Sequence, residues 1–449
     1  MTFITLISNY KYNIEYQVYL ALLRFVNPFF RNLPSSMKHN KTNKLKIFND
    51  PIYGFINISD ESIYDIIEHR YFQRLRRINQ LGLTYLVYPG ATHTRFQHSM
   101  GAMHLMKSAL QNLKEKGIEI NQQEMIAAQQ AILLHDIGHG PFSHTLEFTL
   151  LKKLDHETIG KLFMKQMNKE MNGRLEMAIA IIENKYPKKF LHQLVSSQLD
   201  MDRLDYLKRD SYFTGVSEGV IGTNRLINML DVNQDQLVVE AKGIYSVEKF
   251  LVARRIMYWQ VYLHKTVLAA EQQLIEIIKH IRYLAQSETD ISPSKALNEF
   301  LYNDFSIKDF NNKKLLDEFS EIDDHDIIFA LKKWSKHSDK TLRLMCRNIL
   351  QRHLPKVVIQ KIAFSDEQIQ KLKQKTVELY DINYKETKHF VFTGTASNRA
   401  YNQEFDKIFI QDKDLQLTDI ATASDNFNIK SLASPVSKYF LCYPKEIHS

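Results

Sequence analysis

A chain of 449 residues, 44% hydrophobic and 24% charged, can bury a large core and divide into more than one unit, and no apolar run in it approaches the roughly 20 residues a membrane span needs. Its only two cysteines, Cys346 and Cys442, lie far apart, which excludes a disulfide scaffold and a cysteine zinc site and fits a reducing cytoplasm. The net charge of +8 suits a polyphosphate-binding groove without demanding nucleic acid.

Residues 1–46 read as a variable basic extension. Phe3 to Phe30 is apolar and aromatic in patches, but Lys11, Glu15 and Arg24 interrupt it and no small-residue cleavage site follows, so a signal peptide is not expected there. Met37 offers a second possible start. The basic run from Lys38 to Lys46 is a candidate contact for RNA or DNA.

Helical patterns dominate from Ile63 to about Gln360, where glycine is scarce. Ile66, Ile67, Tyr71, Leu75 and Ile78 recur near helical spacing, with Arg70, Arg74, Arg76 and Arg77 on other faces. The division expected is an all-α core over 47–290 and a helical extension over 291–365. Within the core, Asn121-Gln122-Gln123-Glu124 has the spacing of a capping box. The helix it opens delivers His135 and Asp136 at the end of the apolar run Ala131-Ile132-Leu133-Leu134. Gly138, Gly140 and Pro141 then break the helix, and His139 shares a face with His135 if the turn persists. His144 and Glu147 follow closely. A buried apolar stretch cannot carry such groups without partners, a metal or a reaction.

His98, within Thr94-Arg95-Phe96-Gln97-His98-Ser99, and Asp202, within Asp200-Met201-Asp202-Arg203-Leu204-Asp205-Tyr206, are singly no more than a half-buried histidine and a helix start. His325-Asp326, in an acidic run and without glycines, reads as surface punctuation before the helix at Ile327-Ile328-Phe329-Ala330. Past a boundary near Ser365-Asp366 the pattern changes. Thr376–Tyr380, His389–Phe392, Lys407–Ile410 and Lys438–Tyr443 look like short strands, so 366–449 is expected to be a small α+β subdomain of a mainly α chain.

Taken in order, His98, His135-Asp136 and Asp202 resemble the signature of the HD phosphohydrolase superfamily, in which two histidines and two aspartates hold one or two divalent ions. Longer stretches resemble its deoxynucleoside triphosphate triphosphohydrolase branch: Pro51-Ile52-Tyr53-Gly54, Phe72–Arg76 with Gln80-Leu81-Gly82, Tyr88–Gly101, His135–His144, and Asp202–Tyr206 with Arg209-Asp210. The resemblance covers about residues 47–270 and implies an HD-domain helical core.

It further implies His98, His135, Asp136 and Asp202 as ligands of a divalent ion, with Mn, Fe, Co, Ni, Zn or Mg all compatible with two imidazoles and two carboxylates. His139, His144, Glu147 and His156 are implied as catalytic groups; Glu147 stands where well-known members carry an aspartate, one methylene shorter. Gln80, Arg95, Arg203, Tyr206, Asp210, Arg254 and Tyr262 are implied as contacts to a dNTP, with Arg203 in place of a usual lysine and Tyr262 crowding the sugar 2′ position. Glu68, Gln73 and Arg76 fall at the positions that, in activator-controlled members, read a guanine nucleotide at a subunit interface of a dimer or tetramer. The competing reading makes Arg70, Arg74, Arg76 and Arg77 the solvated face of a helix. Two other functions stay open: an HD phosphohydrolase acting on other nucleotides or single-stranded nucleic acid, and a nucleotide- or nucleic-acid-binding sensor.

Overall fold

The computed structural model describes residues 46–152, 154–286, 291, 294–425, 432 and 434–447. The basic extension therefore lies almost wholly outside the described residues, while Ile47–Ser449 forms one compact unit.

The fold is mainly helical. A two-stranded sheet, β1 (Lys46–Asp50) with β2 (Gly54–Ile58), precedes it. The tight connection is held by Asp50, whose carboxylate accepts from the backbone N–H groups of Ile52 and Tyr53 at 2.8 and 3.0 Å. The helix Glu61–Glu68, capped by Asp60, ends at His69, and the chain continues in short turns over Arg70–Gln73, Arg74–Arg77 and Gly82–Leu86. Ile66, Ile67, Tyr71, Leu75 and Ile78 are each fully buried, as their spacing suggests, although they span several short elements. Arg74 is buried as well, so it is no part of a solvated face. Its guanidinium lies over the Phe163 ring and donates to the carbonyls of Ile137 and His139 at 2.8 and 2.6 Å.

Three helices frame the centre. Arg95–Glu115 packs against both Gln122–Leu134 and Met201–Thr214. The capping box at Asn121 and Glu124 forms with both hydrogen bonds at 2.9 Å. Gln122–Leu134 buries residues on nearly every face, including Gln129 and Gln130, and ends in the apolar run Ala131–Leu134. Met201–Thr214 starts at the N-cap Asp200 and stops at Gly215, whose φ of +75° closes the C-terminus in the left-handed region.

A hairpin interrupts the helical stretch: β3 (Leu230–Asn233) pairs antiparallel with β4 (Gln236–Glu240). Its two-residue turn places Gln234 and Asp235 at φ +48° and +63°, the conformation a tight hairpin needs, without the glycine that marks such turns in sequence. β4 also pairs parallel with β7 (Phe409–Gln411), which pairs with β8 (Leu417–Asp419). A second sheet has the order β5 (Lys356–Gln360), β9 (Val436–Tyr443), β6 (Phe392–Asn398). Both sheets thus combine strands from either side of residue 365.

Thr376–Tyr380 is not a strand. It forms the last turns of the helix Asp366–Tyr380, where the Ser365 capping box and a run of strong helix formers outweigh the β preference of Thr376, Val377 and Tyr380. His389 likewise ends a 3-10 turn, and β6 begins at Phe392.

Candidate active site

His98 stands in the first turn of Arg95–Glu115, His135 and Asp136 follow Leu134 at the end of their helix, and Asp202 lies in the first turn of Met201–Thr214. Their donor atoms converge. His98 Nε2 lies 3.1 Å from Asp202 Oδ1 and 3.4 Å from His135 Nε2, and His135 Nε2 lies 3.5 Å from Asp202 Oδ1. Asp136 borders this trio through both carboxylate oxygens, Oδ1 at 3.4 Å from His135 Nε2 and Oδ2 at 3.7 Å from His98 Nε2. Donors about 2.1 Å from one ion stand roughly 3.0–3.4 Å apart at octahedral or tetrahedral angles, so this set fits a divalent metal.

Both imidazoles are oriented for that task. His98 Nδ1 donates to Asp205 at 2.8 Å and His135 Nδ1 donates to the Ile132 carbonyl at 2.5 Å, leaving each Nε2 lone pair toward the shared point. Asp205 is held in turn by Arg209 at 2.9 Å, and Arg209 by Asp50 at 2.8 Å. Burial lowers the His98 pKa, but the carboxylates of Asp202 and Asp205 outweigh burial and push it up to about 10.

His139 is not on a continuing helix with His135, because the chain turns at Ile137-Gly138. Gly138 allows that turn to pack: a Cβ there would meet the His156 carbonyl at 1.9 Å and Gly160 N at 2.4 Å. The turn brings His139, His144 and His156 together, with donor atoms within 4.8 Å of one another. The rings of His139 and His156 stack at 3.9 Å and 12°, and His144 stands edge-on to both. Glu147 spans the group, accepting from His144 Nδ1 at 3.1 Å, His156 Nδ1 at 2.5 Å and the His156 backbone at 2.8 Å. The longer glutamate therefore makes the histidine contact. Burial raises the Glu147 pKa, but its two histidine partners outweigh that and hold it far below the usual carboxylate range. His139 is held well below an ordinary histidine by burial and the nearby Arg95 charge.

Phe142 and Ser143, between these histidines, both occupy the left-handed region at φ +52° and +49°. Asp324 clamps this turn, accepting from Phe142 N at 2.7 Å and from Asn79 N at 2.9 Å. His325 itself is exposed, as its context suggests, while the neighbouring Asp323 and Asp324 are buried.

The metal-type cluster opens into a cavity of about 410 Å³ whose wall includes Gln80, Arg95, Arg203, Tyr206, Asp210, Arg254 and Tyr262. Arg95 pairs with Asp136 and donates to Ser143 Oγ at 2.6 Å. Arg203 pairs with Asp200, and Arg254 donates to the Ala400 carbonyl at 3.1 Å. Gln80 Oε1, Arg203 Nε and Arg254 Nε are buried without a hydrogen-bond partner among the described residues. Tyr258–Tyr262 forms a single π-helical turn that aims both tyrosines at the cavity. Tyr262 donates to Asp210 at 2.7 Å, and His93, stacked on Phe213, contacts the other carboxylate oxygen at 2.7 Å.

Gln73 and Arg76 meet at 2.9 Å, and the Arg76 guanidinium covers the Phe96 ring at 3.6 Å. Glu68 is exposed nearby, close enough to raise the Arg76 pKa against burial, which lowers it overall. This trio lies apart from the cavity wall. His93, Thr145 and Tyr258 sit inside recognisable stretches without being singled out by them, whereas Glu271 and Asp324 have no motif in the sequence.

A histidine, a histidine–aspartate pair and a distant aspartate meeting in a helical scaffold define a histidine–aspartate metal-binding domain, and residues 95–210 match the HD domain, with residues 221–297 matching the HD associated region. The chain is similar to the uncharacterized Bacillus subtilis protein YwfO, 33% identical over 70% of this chain and 72% of that protein. It is 31% identical to the Dictyostelium discoideum deoxynucleoside triphosphate triphosphohydrolase SAMHD1 homolog, over 56% of this chain and 53% of that one. A phosphohydrolase from Bacteroides thetaiotaomicron superposes with a TM-score of 0.86 at 50% identity, covering 89% of this chain and all of that one. The chain belongs to the HD-domain phosphohydrolase family, whose domains bind divalent metals.

Proposed function

We propose that the protein hydrolyses dNTPs to a deoxynucleoside and tripolyphosphate. The observation that carries this reading is the Tyr262–Asp210 hydrogen bond inside a cavity whose wall also includes Asp136 and Asp202 of the four-donor cluster. A carboxylate beside a tyrosine suits a sugar with a 3′-hydroxyl to accept from and no room at C2′. His98, His135, Asp136 and Asp202 would hold the divalent ion, which when bound supplies Lewis acidity toward phosphate oxygens. Arg95, Arg203 and Arg254, with His139 and His156, balance the polyphosphate charge.

Water attacks the α-phosphorus, the bond to the 5′-oxygen breaks, and tripolyphosphate keeps the incoming oxygen. His144 is the one member of the trio with a largely exposed side chain, 68%, and Glu147 fixes its Nδ1–H. In this reading its Nε2 delivers a proton to the departing 5′-oxygen. This pairing supports catalysis over the sensor reading, because ligand binding alone has no use for it.

The reading extends to control: exposed Glu68 and Arg76, with Gln73, offer the acceptor and donor that a guanine edge requires, so a guanine nucleotide is expected to bind there in a dimer or tetramer. Among the described residues no helix is long and apolar enough to cross a membrane.

Incubation with each dNTP and Mn or Mg, followed by product separation, tests the main claim. Tripolyphosphate and deoxynucleoside are expected, and Asp136→Ala is expected to abolish both. Pyrophosphate and a monophosphate instead would replace this reading with another HD hydrolase activity.

A further inference from the structure

We propose that Glu271 reads the edge of the nucleobase and gives the enzyme a preference for bases that present paired N–H donors, guanine foremost, over thymine. The inference rests on the dNTP reading and specifies its substrate.

Glu271 lies on the helix Lys265–Leu284 and forms part of the cavity wall. Its surroundings are defined by Gly82, whose φ is +48°. The point where a Cβ of Gly82 would stand is 3.9 Å from Glu271 Oε1 and 3.7 Å from both Thr145 Oγ1 and the Phe142 carbonyl. A carboxyl, a hydroxyl and a carbonyl therefore meet at a patch of wall that the missing side chain leaves open. Burial pushes the Glu271 pKa up to about 7, opposed only by a hydrogen bond with Thr145. No cation among the described residues offsets it, which separates it from the phosphate contacts Arg95, Arg203 and Arg254.

A carboxylate repels a polyphosphate, so this patch faces another part of the substrate. Asp210 and Tyr262 already meet the needs of the sugar. The remaining part is the base, and Gln80, Leu81 and Gly82 line the same cavity as Glu271, Asp210 and Tyr262. An ionised carboxylate accepts through two oxygens. Guanine offers N1–H and N2–H₂ side by side, adenine and cytosine offer one amino group, and thymine offers one N–H flanked by two carbonyls that a carboxylate repels.

The test compares kcat/KM for dGTP and dTTP in the full chain with Mn and a constant saturating level of GTP, which equalises any activation at Glu68, Gln73 and Arg76, at about pH 8, where Glu271 is largely ionised. The wild type is expected to favour dGTP by about 10-fold or more, the scale of one or two charged hydrogen bonds. Glu271→Gln should erase most of that ratio while changing kcat/KM for dTTP by less than about 3-fold. A purely structural role would lower both substrates together. Should Glu271→Gln fail to fold, Thr145→Val, which frees the carboxyl to turn, must reduce the same ratio by a smaller factor. A wild type without the preference, an unchanged ratio, or an equal loss for both substrates overturns the proposal alone. A wild type that hydrolyses no dNTP overturns the dNTP reading and this proposal with it.

Discussion

Gly101 lies on the same helix as His98, facing the ion pair that orients it. A Cβ at this position would stand 2.1 Å from Asp205 Oδ1 and 2.2 Å from Arg209 Nη2. Real contacts of this kind need more than 3 Å, so Gly101→Ala must displace both groups by roughly 1 Å. Arg209 and Asp205 are fully buried, and disrupting such a pair costs about 3–5 kcal/mol. Alanine in a helix interior returns about 1 kcal/mol of propensity. The expected net loss is therefore about 2–4 kcal/mol in denaturant unfolding. Because Asp205 accepts from His98 Nδ1, metal affinity by calorimetric titration should also fall about 10- to 100-fold. A Gly101→Ala protein that is as stable as the wild type, or more so, and binds metal equally well would refute this account of the helix packing and of the His98 support.

Glu147→Gln should lower kcat by about 10²–10³-fold with metal content intact, measured by steady-state kinetics and elemental analysis; loss of metal would show a structural role instead. Since the folded Glu147 pKa lies below its unfolded value, its pairing stabilises the fold above about pH 4.5 and that share is lost as pH falls toward the folded value, so Glu147→Gln should show a shallower acid limb in thermal melts. Glu271 has the opposite sign: with its folded pKa raised to about 7, the wild type loses stability as pH rises from about 4.5 to 7, and Glu271→Gln should gain on it over that window and keep a constant lead above it. A pH-independent difference in melting would refute that environment. Tyr262→Ala should improve ribonucleotide hydrolysis relative to dNTP about 10-fold or more, whereas Tyr262→Phe, which keeps the ring but loses the 2.7 Å bond to Asp210, should leave discrimination largely intact; equal behaviour of the two variants would remove the steric argument.

The helical class was legible in local signals, whereas the grouping of His98, His135, Asp136 and Asp202 was legible only through the resemblance of several separated motifs to one family. The capping box at Asn121, the N-cap Asp200 and the apolar lead-in to His135 fix where each ligand leaves its helix. The sequence also carried the histidines after Gly138, although their shared contact with Glu147 depends on a turn that no helical periodicity anticipates. What only the tertiary structure decided are features made by residues distant in sequence. Arg74 reads as a surface arginine until the loop carbonyls of Ile137 and His139 close over it. Asp324 reads as part of an acidic surface run until it meets the strained turn at Phe142, and Glu271 reads as one polar residue on a helix until Gly82 and Thr145 bring it to the cavity wall. The strand expected at Thr376–Tyr380 failed for the same physical reason in reverse: β-branched and aromatic residues favour a strand only weakly, and a capped helix already in progress outweighs them.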